Sequence, residues 1–183
     1  MPHLAQTWSK TINMNVFYGA AIQGNEDREK RQFIHRGIIQ NIKSRGFSVS
    51  TEHTTASSKE EAASLLTESI GKLPAAGIVR TRFVRSKMIE LVESDISACV
   101  FEVSIPSLGT GIEIAHAYLR PRMGLPEVPI LALYEKDYWS HNLSSMIRGL
   151  SPEDYPNFII EEYSDLSDAY EKMDAFFKNS DLS

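Results

Sequence analysis

Within Pro106-Ser-Leu-Gly-Thr-Gly-Ile-Glu113, two hydroxyls, two glycines and one carboxylate are gathered in a single short stretch. Glycine lets a backbone come close to a ligand, and a helix that starts here would offer free N–H groups and a positive dipole end to an anion. Ser107 and Thr110 add hydroxyl donors to the turn. Helical spacing resumes over Ile112 to Tyr118, which puts Glu113 in a first turn. There the dipole favours the ionised carboxylate, as a nucleophile requires. The same residue also reads as a favourable first-turn charge with no chemistry of its own.

The elements around this stretch must bring it to the edge of a sheet. Ala98-Cys-Val-Phe-Glu-Val103 is an apolar run suited to a strand buried in a parallel sheet, and it feeds the glycine turn directly. Upstream, Asn15 to Ile22 reads as a first strand and Arg28 to Arg45 as a helix with Phe33, Ile34, Ile38, Ile39 and Ile42 at helical intervals. Phe47 to Thr51 alternates as a second strand would, and Glu52-His53 stands at its carboxyl end. His53 reads either as a substrate-orienting group or as a hydrogen-bonded loop residue. Thr54 to Arg82 is a long connection with a helix over Lys59 to Ile70, expected to cover the crevice. A helix over Thr81 to Glu93 precedes the central strand and turns Met88, Leu91 and Val92 inward. Val128 to Tyr134 and Asn157 to Tyr163 complete the strands, and a capped helix runs from Ser164 to Phe177. Tyr138, Trp139 and the segment His141 to Gly149 are of mixed polarity. The alternation predicts a doubly wound α/β sheet of about five strands.

The 183 residues suit one domain, with residues 1–14 as a flexible leader and 15–183 as the folded unit. No stretch approaches the roughly 18 apolar residues of a spanning helix, and the first residues lack a secretory pattern, so a cytoplasmic protein is expected. Cys99 is the single cysteine and reads as a buried, inert thiol, which excludes an intramolecular disulfide. No metal or cofactor is expected. The net charge of −5 argues against a nucleic-acid polymer as partner.

The order Tyr18-Gly-Ala-Ala-Ile-Gln-Gly24, Thr51-Glu-His53, Pro106-Ser-Leu-Gly-Thr-Gly-Ile-Glu113, then Leu143-Ser-Ser-Met-Ile-Arg-Gly149 resembles the nucleoside 2-deoxyribosyltransferase superfamily. The closer likeness is to its 2′-deoxynucleoside 5′-phosphate N-hydrolase branch. The resemblance covers residues 15–177 and implies a Rossmann- or flavodoxin-like three-layer sandwich with a mainly parallel sheet. It implies cleavage of an N-glycosidic bond, with Glu113 as the carboxylate that attacks the anomeric carbon, followed by hydrolysis or by transfer to a second base. It further implies a substrate site built from Gly19, Ile22, Gln23, Gly24, His53, Ser107, Gly109, Gly111, Ser144 and Met146, with Ser144 supplied by the second copy of a homodimer.

Several positions depart from the family pattern. Phe17 stands where the family has a catalytic tyrosine on the first strand, and Tyr18, one residue later, points to the opposite face of a regular strand. Lys87 stands where the family has an assisting aspartate. Glu90, about one turn away, is the nearest acid on that helix. Either Glu90 substitutes or the site lacks its usual acid, and Tyr18 serves only where the strand end is bulged or twisted. Ala21 and Gln23 replace a serine and an arginine of the phosphate loop, and Arg85, Lys87 and Arg148 are the cations that could restore the charge. The alternative is a nucleotide-binding or sensor protein that has lost the chemistry, and a third reading is an α/β domain acting on another sugar phosphate.

Overall fold

A computed structural model of the chain describes residues 14–21, 28–137, 143–150 and 154–182. The expected leader, apart from Met14, lies outside these residues, as do Tyr138, Trp139 and His141. The strands β1 (Asn15–Ala20), β2 (Ser48–Val49), β3 (Ala98–Glu102), β4 (Ile130–Glu135) and β5 (Phe158–Tyr163) form one sheet in the order β2-β1-β3-β4-β5. Every pairing is parallel. The helices are α1 (Arg28–Ser44), α2 (Lys59–Ile70), α3 (Ile78–Glu93), α4 (Leu108–Tyr118), α5 (Ser145–Arg148) and α6 (Leu166–Asn179). This is the doubly wound, flavodoxin-like three-layer arrangement.

Strand parity builds the two cores. Val16, Tyr18 and Ala20 of β1 share a face with Val100 and Leu131, and they pack against Ile38 and Ile42 of α1 and Met173 and Phe177 of α6. Phe17, Cys99, Phe101, Ile130 and Ala132 take the other face, against Met88 and Val92 of α3 and Ile114 and Ala117 of α4. Both faces of β3 are covered, so Ala98 to Glu102 is wholly buried, as its unbroken apolar run predicts. Chain order reverses between β1 and β3, and in open parallel sheets the crevice beyond the carboxyl ends at such a point receives ligands.

Local departures from the expected elements have physical causes. Phe47 to Thr51 pairs only at Ser48 and Val49, because the chain turns into a short 3₁₀ segment at Glu52–Thr55. The last helix takes Asp165 rather than Ser164 as its cap, with the Asp165 carboxylate accepting from the Asp168 N–H. In the expected cover, α2 packs on the 3₁₀ segment and on α3, and it is α3 that walls the crevice.

Candidate active site

The turn after β3 is tied to β4 by two hydrogen bonds. The Val103 N–H donates to Leu133 O at 2.8 Å, and the Glu135 N–H donates to Ser104 Oγ at 2.7 Å. Ser104 Oγ in turn donates to the carboxylate of Glu102, which also accepts from Tyr163 Oη at 3.0 Å and Arg31 Nη1 at 3.4 Å. Arg31 bridges onward to Glu135. Glu102 is fully buried, and burial raises its pKa against the lowering effect of Ser104, Arg31 and Tyr163. This buried network fixes where the chain leaves β3.

Helix α4 begins at Leu108, with the Ser107 side chain accepting from the Thr110 N–H. Gly109 and Gly111 are thus inside the helix rather than in a loop before it. Glu113 stands in the second turn, not the first, and the dipole acts chiefly on the terminal turn. Its pKa moves opposite to the expected direction: burial pushes it up to about 7. The carboxylate lies over β1, where a Cβ placed on Gly19 would be 3.0 Å from Glu113 Oε2 and 2.5 Å from Phe101 Cδ1. Glu113 has no hydrogen-bond or ion-pair partner among the described residues. It is therefore a desolvated, uncommitted carboxylate at the switch point of the sheet.

Two cavities flank the first turns of α4. A cavity of about 440 Å³ joins Glu113 and Gly109 to α3 through Arg80, Thr81, Val84, Arg85 and Met88. The other, about 540 Å³ and mostly apolar, includes Ser107, Gly111, Ser144 and Met146. Ile112 borders both. Leu108 and Met146 at the apolar cavity are 91% and 78% exposed.

The remaining expected site residues are distributed as follows. Tyr18 is in regular register opposite Val100 and fully buried on the α1 and α6 face, away from α4, with its hydroxyl 2.7 Å from His35 Nδ1. No bulge or twist carries it to Glu113, so strand parity places Tyr18 away from the Glu113 cavity. Phe17 occupies the face that α4 covers. Glu90 is exposed and accepts from Lys87 Nζ, and neither residue lines the Glu113 cavity. Their i, i+3 pairing on the solvent side of α3 accounts for this placement. His53 is buried, its pKa lowered to about 4 by burial, and it lines neither cavity. Ile22, Gln23 and Gly24 lie outside the described residues.

Of the α3 wall, the sequence alone offers Arg85 as one of several cations and gives Arg80, Thr81 and Val84 no site role. A usable signal exists: from Ser69 to Ile89 the chain carries Lys72, Arg80, Arg82, Arg85 and Lys87 and no acidic residue. Among the described residues no cluster of three or more His, Cys, Asp or Glu could hold a metal ion, and no helix is long and apolar enough to cross a membrane.

Sheet order, glycine-bearing helix start and buried carboxylate define a flavodoxin-like α/β protein with a small-molecule crevice at its β1/β3 switch point. No family model matches the chain. It is 32% identical over 167 residues to a protein of Thermofilum pendens named "Putative 2'-deoxynucleoside 5'-phosphate N-hydrolase 1", covering 91% of this chain and 97% of that relative. The chain belongs to the 2′-deoxynucleoside 5′-phosphate N-hydrolase family, within the nucleoside 2-deoxyribosyltransferase superfamily.

Proposed function

We propose that this protein cleaves the N-glycosidic bond of a nucleotide or nucleoside, with Glu113 as nucleophile. The observation that carries the reading is the Glu113 carboxylate, desolvated over Gly19 in the sheet's crevice and without a hydrogen-bond or ion-pair partner among the described residues. Its ionised oxygen attacks the anomeric carbon as the carbon–nitrogen bond breaks, and the base departs with the bonding pair. A carboxylate there stabilises the oxocarbenium-like transition state, as in retaining glycosidases. Water then hydrolyses the glycosyl ester, or a second base takes the sugar. In this reading Ser107 and Gly109 contact the sugar phosphate. Ser144 comes from a second copy of the chain seated over the apolar cavity, which makes the enzyme a homodimer.

The test is base release from ribo- and deoxyribonucleosides and their 5′-monophosphates. Release that disappears in Glu113→Gln supports the mechanism, and release that persists in that variant refutes it. Exchange with a second free base separates transferase from hydrolase.

A second reading, a nucleotide-binding protein without turnover, is favoured by one observation. Among the described residues no acid other than Glu113 lines its cavity, since Glu90 pairs with Lys87 outside it and Phe17 brings no hydroxyl. Nucleotide bound tightly and recovered intact after long incubation would establish it.

A further inference from the structure

We propose that Thr51 is a positioning residue for this reaction: its hydroxyl takes the place of a further β2 rung and so holds β1 at Gly19, the backbone against which the Glu113 carboxylate rests. The inference rests on the reading of Glu113 as nucleophile and adds a residue that acts through β1 without touching the ligand.

The ladder between β1 and β2 is short. The Ser48 N–H donates to Met14 O at 3.0 Å and the Ser50 N–H to Val16 O at 3.4 Å. A parallel ladder continued by one step would bring the Glu52 N–H to Tyr18 O and the Ser50 C=O to the Tyr18 N–H. Glu52 instead opens the 3₁₀ segment. Thr51 Oγ1 fills both places: it accepts from the Tyr18 N–H at 3.0 Å and donates to Tyr18 O. Thr51 is fully buried. One side-chain hydroxyl thus satisfies a main-chain donor and acceptor at a depth where leaving either unpaired is costly.

The residue after Tyr18 is Gly19, which pairs in register with Phe101 of β3. A Cβ on Gly19 would lie 2.5 Å from Phe101 Cδ1 and 3.0 Å from Glu113 Oε2, so the β1 backbone backs the carboxylate with no side chain between them. In an interior this closely packed, a shift of the strand end carries over to the carboxylate. Thr51 lines neither of the cavities beside α4, and its influence therefore runs through β1. A reacting group misplaced by about 1 Å can lose about 100-fold in rate, which makes this support matter to the reaction.

The test uses the full-length protein with its glutamate carboxyls labelled with carbon-13 and titrated by NMR, the Glu113 signal being assigned by its absence in Glu113→Gln. In wild type this carboxyl should titrate at about 7, where burial places it. Thr51→Val keeps the shape and removes the hydroxyl. Glu113 should then titrate lower, toward its ordinary 4.5, as the strand end loosens and water enters. The kcat for base release should fall about 10- to 100-fold while KM stays within about 3-fold of wild type. Thr51→Ser, which retains the hydroxyl, should keep most of both properties. Thr55→Val removes a hydroxyl that donates to Glu52 O inside the 3₁₀ segment, and it should move neither.

A folded Thr51→Val protein in which Glu113 titrates as in wild type would overturn the proposal. So would a titration that moves in an active enzyme whose kcat does not, a Thr51→Ser protein as impaired as Thr51→Val, or a Thr55→Val effect as large. Where Thr51→Val does not fold, amide exchange in the wild type decides: the Tyr18 N–H should exchange as slowly as the Val16 N–H, and rapid exchange at Tyr18 would overturn the proposal. Base release that is lost in Glu113→Gln but unchanged in Thr51→Val would leave the N-glycosidase reading standing and remove this one. A Thr51-dependent titration of Glu113 in a protein that releases no base would support Thr51 as the residue that seats the carboxylate and overturn the N-glycosidase reading.

Discussion

The Glu113 carboxylate stands over Gly19 so closely that a Cβ at residue 19 would lie 3.0 Å from Oε2 and 2.5 Å from the Phe101 ring. That ring is fully buried and cannot withdraw without disturbing the α3 and α4 face. Gly19→Ala is therefore expected to overpack this point, costing about 1–3 kcal/mol in denaturant unfolding. It should also displace the carboxylate, so that base release falls further than stability alone explains. A variant with native stability and native activity would contradict this geometry.

Burial raises the Glu113 pKa to about 7, above its ordinary value of 4.5. The folded state thus holds this proton more tightly than the unfolded chain does. Its contribution to stability is complete below the unfolded pKa and is lost as pH rises through about 7. Glu113→Gln removes the ionisation, so it should stabilise the protein at pH 8 by up to about 3 kcal/mol and have little such effect at pH 5. Thermal unfolding of both proteins across this range checks the sign. If Glu113 is the nucleophile, base release should also rise with pH through an apparent pKa near 7, since only the carboxylate attacks.

The Tyr18 hydroxyl has His35 Nδ1 as its partner inside the α1 and α6 core, and His35, held neutral with a pKa near 4, is itself buried. Tyr18→Phe should cost about 1–3 kcal/mol of stability, because it leaves a buried imidazole nitrogen without its partner. Its kcat for base release should stay within about 3-fold of wild type, whereas loss of a catalytic proton-transfer group costs about 100-fold or more. A loss of that size with the protein folded would return Tyr18 to the mechanism.

Most of the sheet was legible because period and parity leave little freedom. The unbroken run Ala98 to Glu102 required burial on both faces, and alternation in β1 already separated Phe17 from Tyr18. The start of α4 was not legible. Two glycines within three residues each cost a helix about 1 kcal/mol and so read as a turn, yet the Ser107 cap and the packing of Ile114 and Ala117 carry the helix back to Leu108. That shift moved Glu113 one turn inward, beyond the strongest reach of the dipole, and burial reversed the sign of its pKa shift. The α3 wall escaped for another reason: Arg80 and Arg85 look like ordinary surface arginines until a cavity is found beside them.

Glu102 is expected to matter for stability rather than contact with the ligand. Its carboxylate holds Ser104, Tyr163 and Arg31 together in a fully buried cluster. Glu102→Ala should destabilise the protein by about 3 kcal/mol in denaturant unfolding, because it removes the fully buried carboxylate that accepts from Arg31, Tyr163 and Ser104. Ser104→Ala should cost less, about 1 kcal/mol, by freeing the Glu135 N–H. A Glu102→Ala protein as stable as wild type would show that the network does not hold the end of β3.

The apolar cavity bears on assembly. Leu108, Ile112 and Met146 at its edge are 91%, 50% and 78% exposed, while Ser144 caps the short α5 beside them. If a second copy covers this face, Met146→Glu should shift sedimentation from dimer to monomer, since a desolvated, unpaired carboxylate is costly at an interface. Complementation then decides whether Ser144 serves its own site or its neighbour's. Glu113→Gln and Ser144→Ala chains, each weakly active alone, are mixed, dissociated and reassembled. In a mixed dimer with Ser144 acting across the interface, one site loses both residues and the other keeps both. Random pairing makes half the dimers mixed, so about one quarter of all sites regain wild-type composition. If Ser144 acts within its own chain, every site still lacks one residue and activity stays at the average of the two variants.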